Sequence, residues 1–161
     1  MSNGEILRIL SNSEVFHGLT NTDLEILSQH CEKRAFQKGD TLIKERYPAS
    51  GFHIIVKGKL EVLLPEHIEG RREQRVSEVK LNVLKEGDCF GEHAIIDKMP
   101  ASASIVAIES GEVLRITEDD FNQILNANDR IAKTVYHNLL RTVLKRLRKR
   151  EKEYDLFLVI P

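Results

Sequence analysis

The chain has 161 residues, a length that fits one domain. With 24 Lys and Arg against 25 Asp and Glu, the formal net charge is -1, so nothing drives the chain as a whole toward nucleic acid or an anionic membrane. The sequence contains neither an apolar run of membrane-spanning length nor the features of a signal peptide. The two cysteines form no CxxC pair and no disulfide framework, so we expect a cytoplasmic protein.

The first predicted zone, residues 1–32, is helical. Thr20 is placed to cap a helix, and Asp23 can return the second hydrogen bond of a capping box. Leu19 and Leu24 flank this cap at the spacing of a hydrophobic staple. These features predict short N-terminal helices.

The second zone, residues 33–116, is rich in predicted strands. Short apolar runs alternate with glycine-containing turns, and they cover residues 41–43, 52–56, 60–64, 79–84, 104–108 and 112–116. This spacing predicts a mainly β protein, an antiparallel jelly-roll (double-stranded β-helix) barrel with flanking helices. Residues 65–77 are charged and nearly free of apolar side chains, which predicts an exposed hairpin loop.

The third zone, residues 117–152, returns to helix. Asp119 and Asp120 lie in its first turn, where the helix dipole favours acidic side chains. A longer helix restarts at residues 128–129, and its apolar positions are Ile131, Val135, Leu139, Leu140, Val143, Leu144 and Leu147. This stripe is wide enough either to cover the strands alone or to leave a surface for a homodimer.

The end of the chain combines a basic run with an apolar tail. Residues 145–150 read KRLRKR and are interpreted as a solvated helix end, because helix C-termini favour cations. Residues 153–161 end in LFLVIP, which is interpreted as an apolar tail that packs on the domain or on a partner. Only 11 residues follow Arg150, so we expect no helix-turn-helix and no contact with DNA.

The stretch FGEHAIIDKMPASAS, within residues 87–104, is the candidate ligand site. Gly91 lets a ligand approach the backbone, and the free N–H groups of a short helical turn, including that of Ala94, favour phosphate. Glu92 would be repelled by a phosphate and is better suited to a sugar hydroxyl, while Ser102 and Ser104 offer hydroxyls. The alternative is a purely structural turn capped by the glutamate.

Four motifs resemble the cyclic-nucleotide-binding domain family of catabolite-activator regulators, cyclic-nucleotide-dependent kinases and ion channels. They are Gly39–Ile43, Phe52–Gly58, Glu86–Glu92 and Asp119–Phe121. The resemblance implies a non-enzymatic regulatory module in which Gly91 and Glu92 hold the ribose and helix-turn amides such as that of Ala94 hold the phosphate. It also implies that the hinge near residues 126–129 couples the pocket to the long helix, from which Tyr136 is a candidate contact to the base.

One position departs from the family pattern. The residue after Pro100 is an arginine that binds the cyclic phosphate in the family, and here it is Ala101. Removing one partner of such a buried charged pair costs roughly 2 to 5 kcal/mol, which corresponds to roughly 1.5 to 3.5 decades of affinity. We therefore predict weak or no binding of cyclic AMP or cyclic GMP, unless Lys98 or an arginine of residues 71–75 replaces the lost charge.

Several alternatives stay open. The pocket is either retuned for another small ligand, less anionic than a cyclic nucleotide, or vestigial in a module that works through protein contacts. A third hypothesis is a haem-based gas sensor, because the resembled family includes a carbon-monoxide sensor whose haem-ligating histidine falls at the position of His93. No metal site and no catalytic motif is predicted, and a cyclic nucleotide or a related small molecule is the candidate ligand.

Overall fold

The chain forms helices at its two ends and strands between them. The computed structural model describes residues 2–158, apart from the side chains of Ala94, Ile95 and residues 156–158. The helices are α1 (Asn3–Asn12), α2 (Asn21–Ser28), α3 (Glu92–Asp97), α4 (Glu118–Ala127) and α5 (Asp129–Leu158), with a 3-10 turn at Glu14–Phe16. The strands are β1 (Glu32–Phe36), β2 (Thr41–Ile43), β3 (Phe52–Lys57), β4 (Leu60–Leu64), β5 (Val79–Leu84), β6 (Cys89–Phe90), β7 (Ser104–Ala107) and β8 (Gly111–Ile116).

The strands build two antiparallel sheets of four strands each. Their orders are β1-β8-β3-β6 and β2-β7-β4-β5. A mainly β fold with flanking helices is therefore confirmed, but the predicted closed barrel is wrong, because no described strand of one sheet pairs with a strand of the other. Strands β6 and β2, each at one edge of its sheet, have only two and three residues.

Six strands coincide with the predicted apolar runs, and two were not predicted. The missing strands are β1 and β6. In β1 only Phe36 is buried and the other four residues are exposed, so this strand has no apolar run that a sequence pattern can detect. Strand β6 is too short to show a period.

Strand β3 is buried on both faces and separates two apolar clusters. Phe52 and Ile54 belong to the cluster formed with the helices, whereas Ile55 belongs to the cluster formed by residues of both sheets. Successive side chains of a strand point to opposite faces, so a strand between two cores reads as a continuous apolar run. The helices therefore cover the outer face of the first sheet, and the second cluster fills the space between the sheets.

The predicted capping box at the start of α2 is present and is tied to α5. Asp23 accepts a hydrogen bond from the Thr20 amide at 2.8 Å, and Arg130 of α5 forms an ion pair with the same carboxylate. Burial of Asp23 opposes its charge, but the hydrogen bonds from Thr20 and Arg130 hold its pKa below the usual value. This contact helps to position the start of α5 against the N-terminal helices.

Helix α5 is buried in its first half and extends beyond the predicted end of the helical zone. Ile131, Val135 and Leu139 pack in the helical core, but the apolar side chains of Leu140, Leu144 and Leu147 are exposed. The helix continues to Leu158 instead of giving way to a tail after residue 152, and Lys149 pairs with Glu153 across one turn at 3.8 Å. The rest of the predicted tail, residues 159–161, lies outside the described residues.

None of the helices in the described part of the chain combines the length and apolar character needed to cross a membrane. The longest helix, α5, carries many charged side chains throughout its second half. Its exposed leucines therefore lie on one side of a helix that is otherwise polar.

His53 is a buried histidine that must lose its proton on folding. Its ring stacks on Phe90 at 4.6 Å between centroids, and its Nδ1 finds no hydrogen-bond partner among the described residues. Burial, together with the charge of Arg115, lowers the pKa of His53 from 6.5 to about 4. The folded state therefore resists protonation between these two pH values, whereas the unfolded chain accepts the proton.

We expect the protein to lose stability as the pH falls from 6.5 toward 4, and His53→Phe to remove part of this loss. Since each pKa unit corresponds to about 1.4 kcal/mol, His53 contributes a loss of about 2 to 3 kcal/mol between pH 7 and pH 4.5. Urea unfolding at the two pH values measures it. The control is His93→Phe, because His93 is 60% exposed. An equal loss in wild type and His53→Phe would contradict the prediction.

Candidate ligand pocket

A cavity of about 460 Å³ lies between the second sheet, residues 89–103 and the C-terminal half of α5. Its volume is in the range of small-molecule sites. Most of its wall is apolar, formed by Ile43, Ala49, Val62, Leu81, Leu84, Phe90, Met99, Pro100, Ala101, Ala103 and Ile105. The charged residues of the wall are Glu92, Asp97, Arg146, Lys149, Arg150 and Glu153.

Gly91 lines this cavity and is required by the backbone packing around it. Its φ is +86°, and a Cβ atom at this position would lie 2.2 Å from the carbonyl oxygen of Gly51. A larger residue would therefore clash with the backbone as well as adopt a left-handed conformation. From the sequence, the glycine at position 91 is expected to give a ligand access to the backbone. The packing against Gly51 is a second, purely structural reason for this glycine.

Glu92 is the most buried charged group of the cavity wall. It begins α3, and its side chain is 3% exposed. Its carboxylate accepts a hydrogen bond from Nη1 of Arg146, which lies on α5, and Nη2 of the same guanidinium donates to the Cys89 carbonyl oxygen at 3.0 Å. The predicted hydroxyl acceptor is thus present, and it already has a cationic partner.

Ala101 and Ser102 both line the cavity. The backbone of Ala101 is held on both sides, since its amide donates to the Tyr47 carbonyl at 3.0 Å and its carbonyl accepts from the Arg46 amide at 2.7 Å. Its methyl group packs on the apolar cluster between the sheets. A longer side chain at this position would start from a fixed backbone at the cavity wall.

Two other predicted contacts have different surroundings. Ser104 is buried in β7, where its hydroxyl accepts from the Glu45 amide at 2.9 Å, and it does not belong to the cavity wall. Ala94 lies within α3, close in the chain to Glu92. The structure therefore brings Gly91, Glu92, Ala101 and Ser102 together around the cavity and leaves Ser104 behind it.

Tyr136 does not reach the cavity. It is 45% exposed and absent from the wall, and α5 reaches the cavity only from Arg146 onward. Ten residues correspond to about 15 Å along a helix, so a contact from Tyr136 to a ligand in this cavity is not available in this arrangement. The residues of the long helix that line the cavity are Arg146, Lys149, Arg150 and Glu153.

Neither of the predicted substitutes for the missing arginine lies in the cavity wall. Lys98 is exposed, and Arg75 donates to Glu45 at 2.7 and 2.9 Å and to the Pro65 carbonyl at 2.8 Å. The cations of the wall are instead Arg146, Lys149 and Arg150. They lie in the run that was interpreted as a solvated helix end, and their spacing of three and four residues places them on one face of α5.

The cysteines and His93 give little support to haem or metal binding. Burial raises the pKa of Cys89 to about 12, with Glu92 adding to the effect, and burial also raises the pKa of Cys31 to about 12. Both thiols are therefore protonated at neutral pH in the protein without a metal. His93 lines the cavity, but among the described residues no group of three or more His, Cys, Asp and Glu could hold a metal ion.

Two antiparallel sheets and flanking helices thus place a largely apolar cavity beside the C-terminal half of the last helix. Residues 33–128 match the model of the cyclic nucleotide-binding domain, and the chain belongs to this family. The resemblance inferred from the four motifs is thereby confirmed.

Its relatives include a cyclic AMP receptor protein and several cyclic-nucleotide-dependent protein kinases. The chain is 27% identical over 147 residues to the cyclic AMP receptor protein of Thermus thermophilus, and 27% identical over 150 residues to the cGMP-dependent protein kinase of Toxoplasma gondii. These matches cover 91% and 93% of the chain, but only 63% and 13% of the two relatives. The chain therefore corresponds to one part of each relative.

Solved structures show the same fold. The catabolite activator protein of Thermus thermophilus has a TM-score of 0.69 and 28% identity, with 90% of this chain and 63% of that chain covered. A cyclic nucleotide-binding domain from Methylobacillus flagellatus has a TM-score of 0.77 and 22% identity, with 99% and 85% covered. The second likeness extends the fold assignment over nearly the whole chain.

Proposed function

We propose that the chain is a non-enzymatic regulatory module of the cytoplasm whose pocket binds cyclic AMP and cyclic GMP weakly or not at all. The observation that carries the proposal is Ala101, a methyl group in the cavity wall at the position where the family resemblance implies the phosphate-binding arginine. A charge-assisted and bidentate contact is lost there. The strand orders of the two sheets support a jelly-roll topology for this module.

The pocket favours a ligand that is less anionic than a cyclic nucleotide. Ala49, Ala101 and Ala103 form an uncharged wall that does not stabilise a phosphate. Glu92 supplies a buried acceptor suited to a hydroxyl. The ligand class consistent with both features is a small hydroxylated molecule with a neutral group facing the alanines.

The proposed output is the position of α5. Because four charged residues of α5 line the cavity, from Arg146 to Glu153, a change in occupancy alters the surroundings of this helix. A ligand shifts the position of α5 only as far as it binds the two positions with different affinity. That the module works without contacting DNA or a membrane stays a prediction.

Titration calorimetry with cyclic AMP and cyclic GMP tests the proposal. We expect dissociation constants between about 30 μM and about 3 mM, since a micromolar site loses roughly 1.5 to 3.5 decades of affinity without its arginine. The folded state of the sample is checked by its thermal transition. A complex of micromolar affinity or tighter with either nucleotide would overturn the proposal.

A second candidate function is a protein-interaction module that dimerises through α5. It is favoured by the exposed Leu140, Leu144 and Leu147, whose spacings of four and three residues form an apolar seam. We expect a homodimer in sedimentation-velocity experiments and a monomer after Leu144→Glu. The control Arg148→Glu changes an exposed residue of the same helix and should leave the dimer intact. A monomeric wild type at high micromolar concentration would rule this candidate out.

A further inference from the structure

The guanidinium of Arg146 occupies the polar end of the pocket. It donates to the Glu92 carboxylate and, at 3.0 Å, to the carbonyl oxygen of Cys89. Both acceptors belong to the segment that the family resemblance assigns to the ligand. One side chain of α5 thus takes Oε1 of this carboxylate and fills the space beside it, where a ligand hydroxyl would have to lie.

The charge of this guanidinium is retained in its half-buried position. Burial opposes the charge of Arg146, but the neighbouring Glu92 carboxylate raises the pKa of Arg146. The contact is therefore an ion pair as well as a hydrogen bond, whereas a neutral hydroxyl offers Glu92 a hydrogen bond alone. A ligand that offers one hydroxyl to Glu92 does not displace Arg146 by that contact alone.

The C-terminal half of α5 has few other attachments to the body of the domain. Between residues 140 and 155 most side chains are exposed, whereas Ile131, Val135 and Leu139 anchor the first half in the core. The Lys145–Glu14 pair, at 2.9 Å, joins two exposed side chains, and such pairs contribute little. The contacts of Arg146 therefore hold this half of the helix over the cavity.

We propose that Arg146 is a built-in occupant of the pocket and that residues 140–155, the α5 lid, must be displaced when a ligand takes Glu92. The effect on ligands rests on the proposed function, since it requires that this cavity be the ligand site. The position of the lid in the ligand-free protein does not depend on the proposed function.

The burial of the two partners decides which of them moves. The Arg146 side chain is 38% exposed, and water can take over its hydrogen bonds when it leaves. Glu92 is 3% exposed and would be left with an unpaired buried charge, so the incoming ligand must supply a donor to it. Binding of a ligand in the pocket thereby releases the lid. The other contacts of the ligand must be strong enough to compensate for the lost contact between Arg146 and Glu92.

Hydrogen exchange of the ligand-free protein, followed by mass spectrometry, tests the lid. Arg146→Met and Glu92→Gln should each make the amides of residues 143–150 exchange about tenfold or more faster than in wild type. The double variant should exchange no faster than either single variant, because both changes remove one interaction. Arg148→Met, an exposed neighbour outside the cavity wall, is the matched control and should exchange like wild type. Unchanged exchange in Arg146→Met, or additive effects in the double variant, would overturn the inference.

A binding experiment tests the competition with a ligand. In protein that carries Ala101→Arg, the further change Arg146→Met should tighten binding of cyclic AMP about tenfold, because the nucleotide no longer competes with the guanidinium. Equal or weaker binding would contradict the competition. If Ala101→Arg fails to bind cyclic AMP both with and without Arg146→Met, the account of the lost charge fails, whereas the exchange measurements still decide whether Arg146 holds the lid.

Discussion

Replacing Ala101 by arginine is expected to raise the affinity for cyclic AMP by about 30-fold to 3000-fold over wild type. The backbone at this position is already fixed by hydrogen bonds to Tyr47 and Arg46, and the side chain starts at the cavity wall. The guanidinium would therefore be placed by an ordered backbone and would face a site that retains Gly91, Glu92 and Ser102. Calorimetry or displacement of a fluorescent cyclic nucleotide measures the gain.

Two matched variants separate charge from geometry in this experiment. Ala101→Lys supplies the charge without the planar fork of the guanidinium, so we expect a smaller gain. Ala101→Gln supplies length and a donor without charge, and it should bind no better than wild type. If cyclic AMP binds detectably neither to folded Ala101→Arg nor to the same variant with Arg146→Met, then more than one guanidinium has been lost and the pocket is not a cyclic-nucleotide site in the family's usual manner.

Replacing Phe52 by alanine is expected to lower the free energy of unfolding by about 3 to 5 kcal/mol. Phe52 is fully buried in β3, with its ring 5.5 Å from that of Phe16 and 5.2 Å from that of Phe121. It therefore joins the first sheet to the 3-10 turn and to α4, and its removal leaves a cavity where three elements meet. Urea unfolding at pH 7 measures the change.

Two controls show whether this loss comes from the aromatic cluster. Phe52→Leu keeps most of the apolar volume and should cost clearly less than Phe52→Ala. Val76→Ala removes apolar atoms at a fully exposed position of the loop between β4 and β5, so the change should stay within about 0.5 kcal/mol. A cost below about 1 kcal/mol for Phe52→Ala would show that the helices do not depend on this contact.

Local patterns in the sequence predicted the parts of the fold that local geometry determines. The capping box at Thr20 and Asp23 and the apolar run at residues 52–56 depend on neighbours within a few positions, and both are present. Strand β1 shows the limit of such patterns, because it is held by pairing with β8, about 80 positions later, and not by an apolar run of its own. The separation of the sheets likewise depends on pairings between distant strands.

The candidate site likewise combines residues that the sequence could predict with one that only the tertiary structure brings in. Gly91, Glu92, Ala101 and Ser102 lie within one short stretch, and the structure places all four around the cavity. Arg146 contacts Glu92 from 54 positions away, and its run of basic residues has the composition of an ordinary solvated helix end. Nothing local distinguishes the basic residues that face the cavity from those that face solvent.

The sequence by itself determined the family, most strands, the cap of α2 and the alanine at position 101, where the resemblance implies an arginine. Each of these depends on residues that are close in the chain. Only the tertiary structure decided that Tyr136 stays away from the cavity, that Ser104 supports a loop, and that Arg146 fills the polar end of the pocket. The physical reason is that the path of α5 is set by the packing of Ile131, Val135 and Leu139 on a distant core. That packing, and no local signal, brings a charge from the last helix to the buried carboxylate of Glu92.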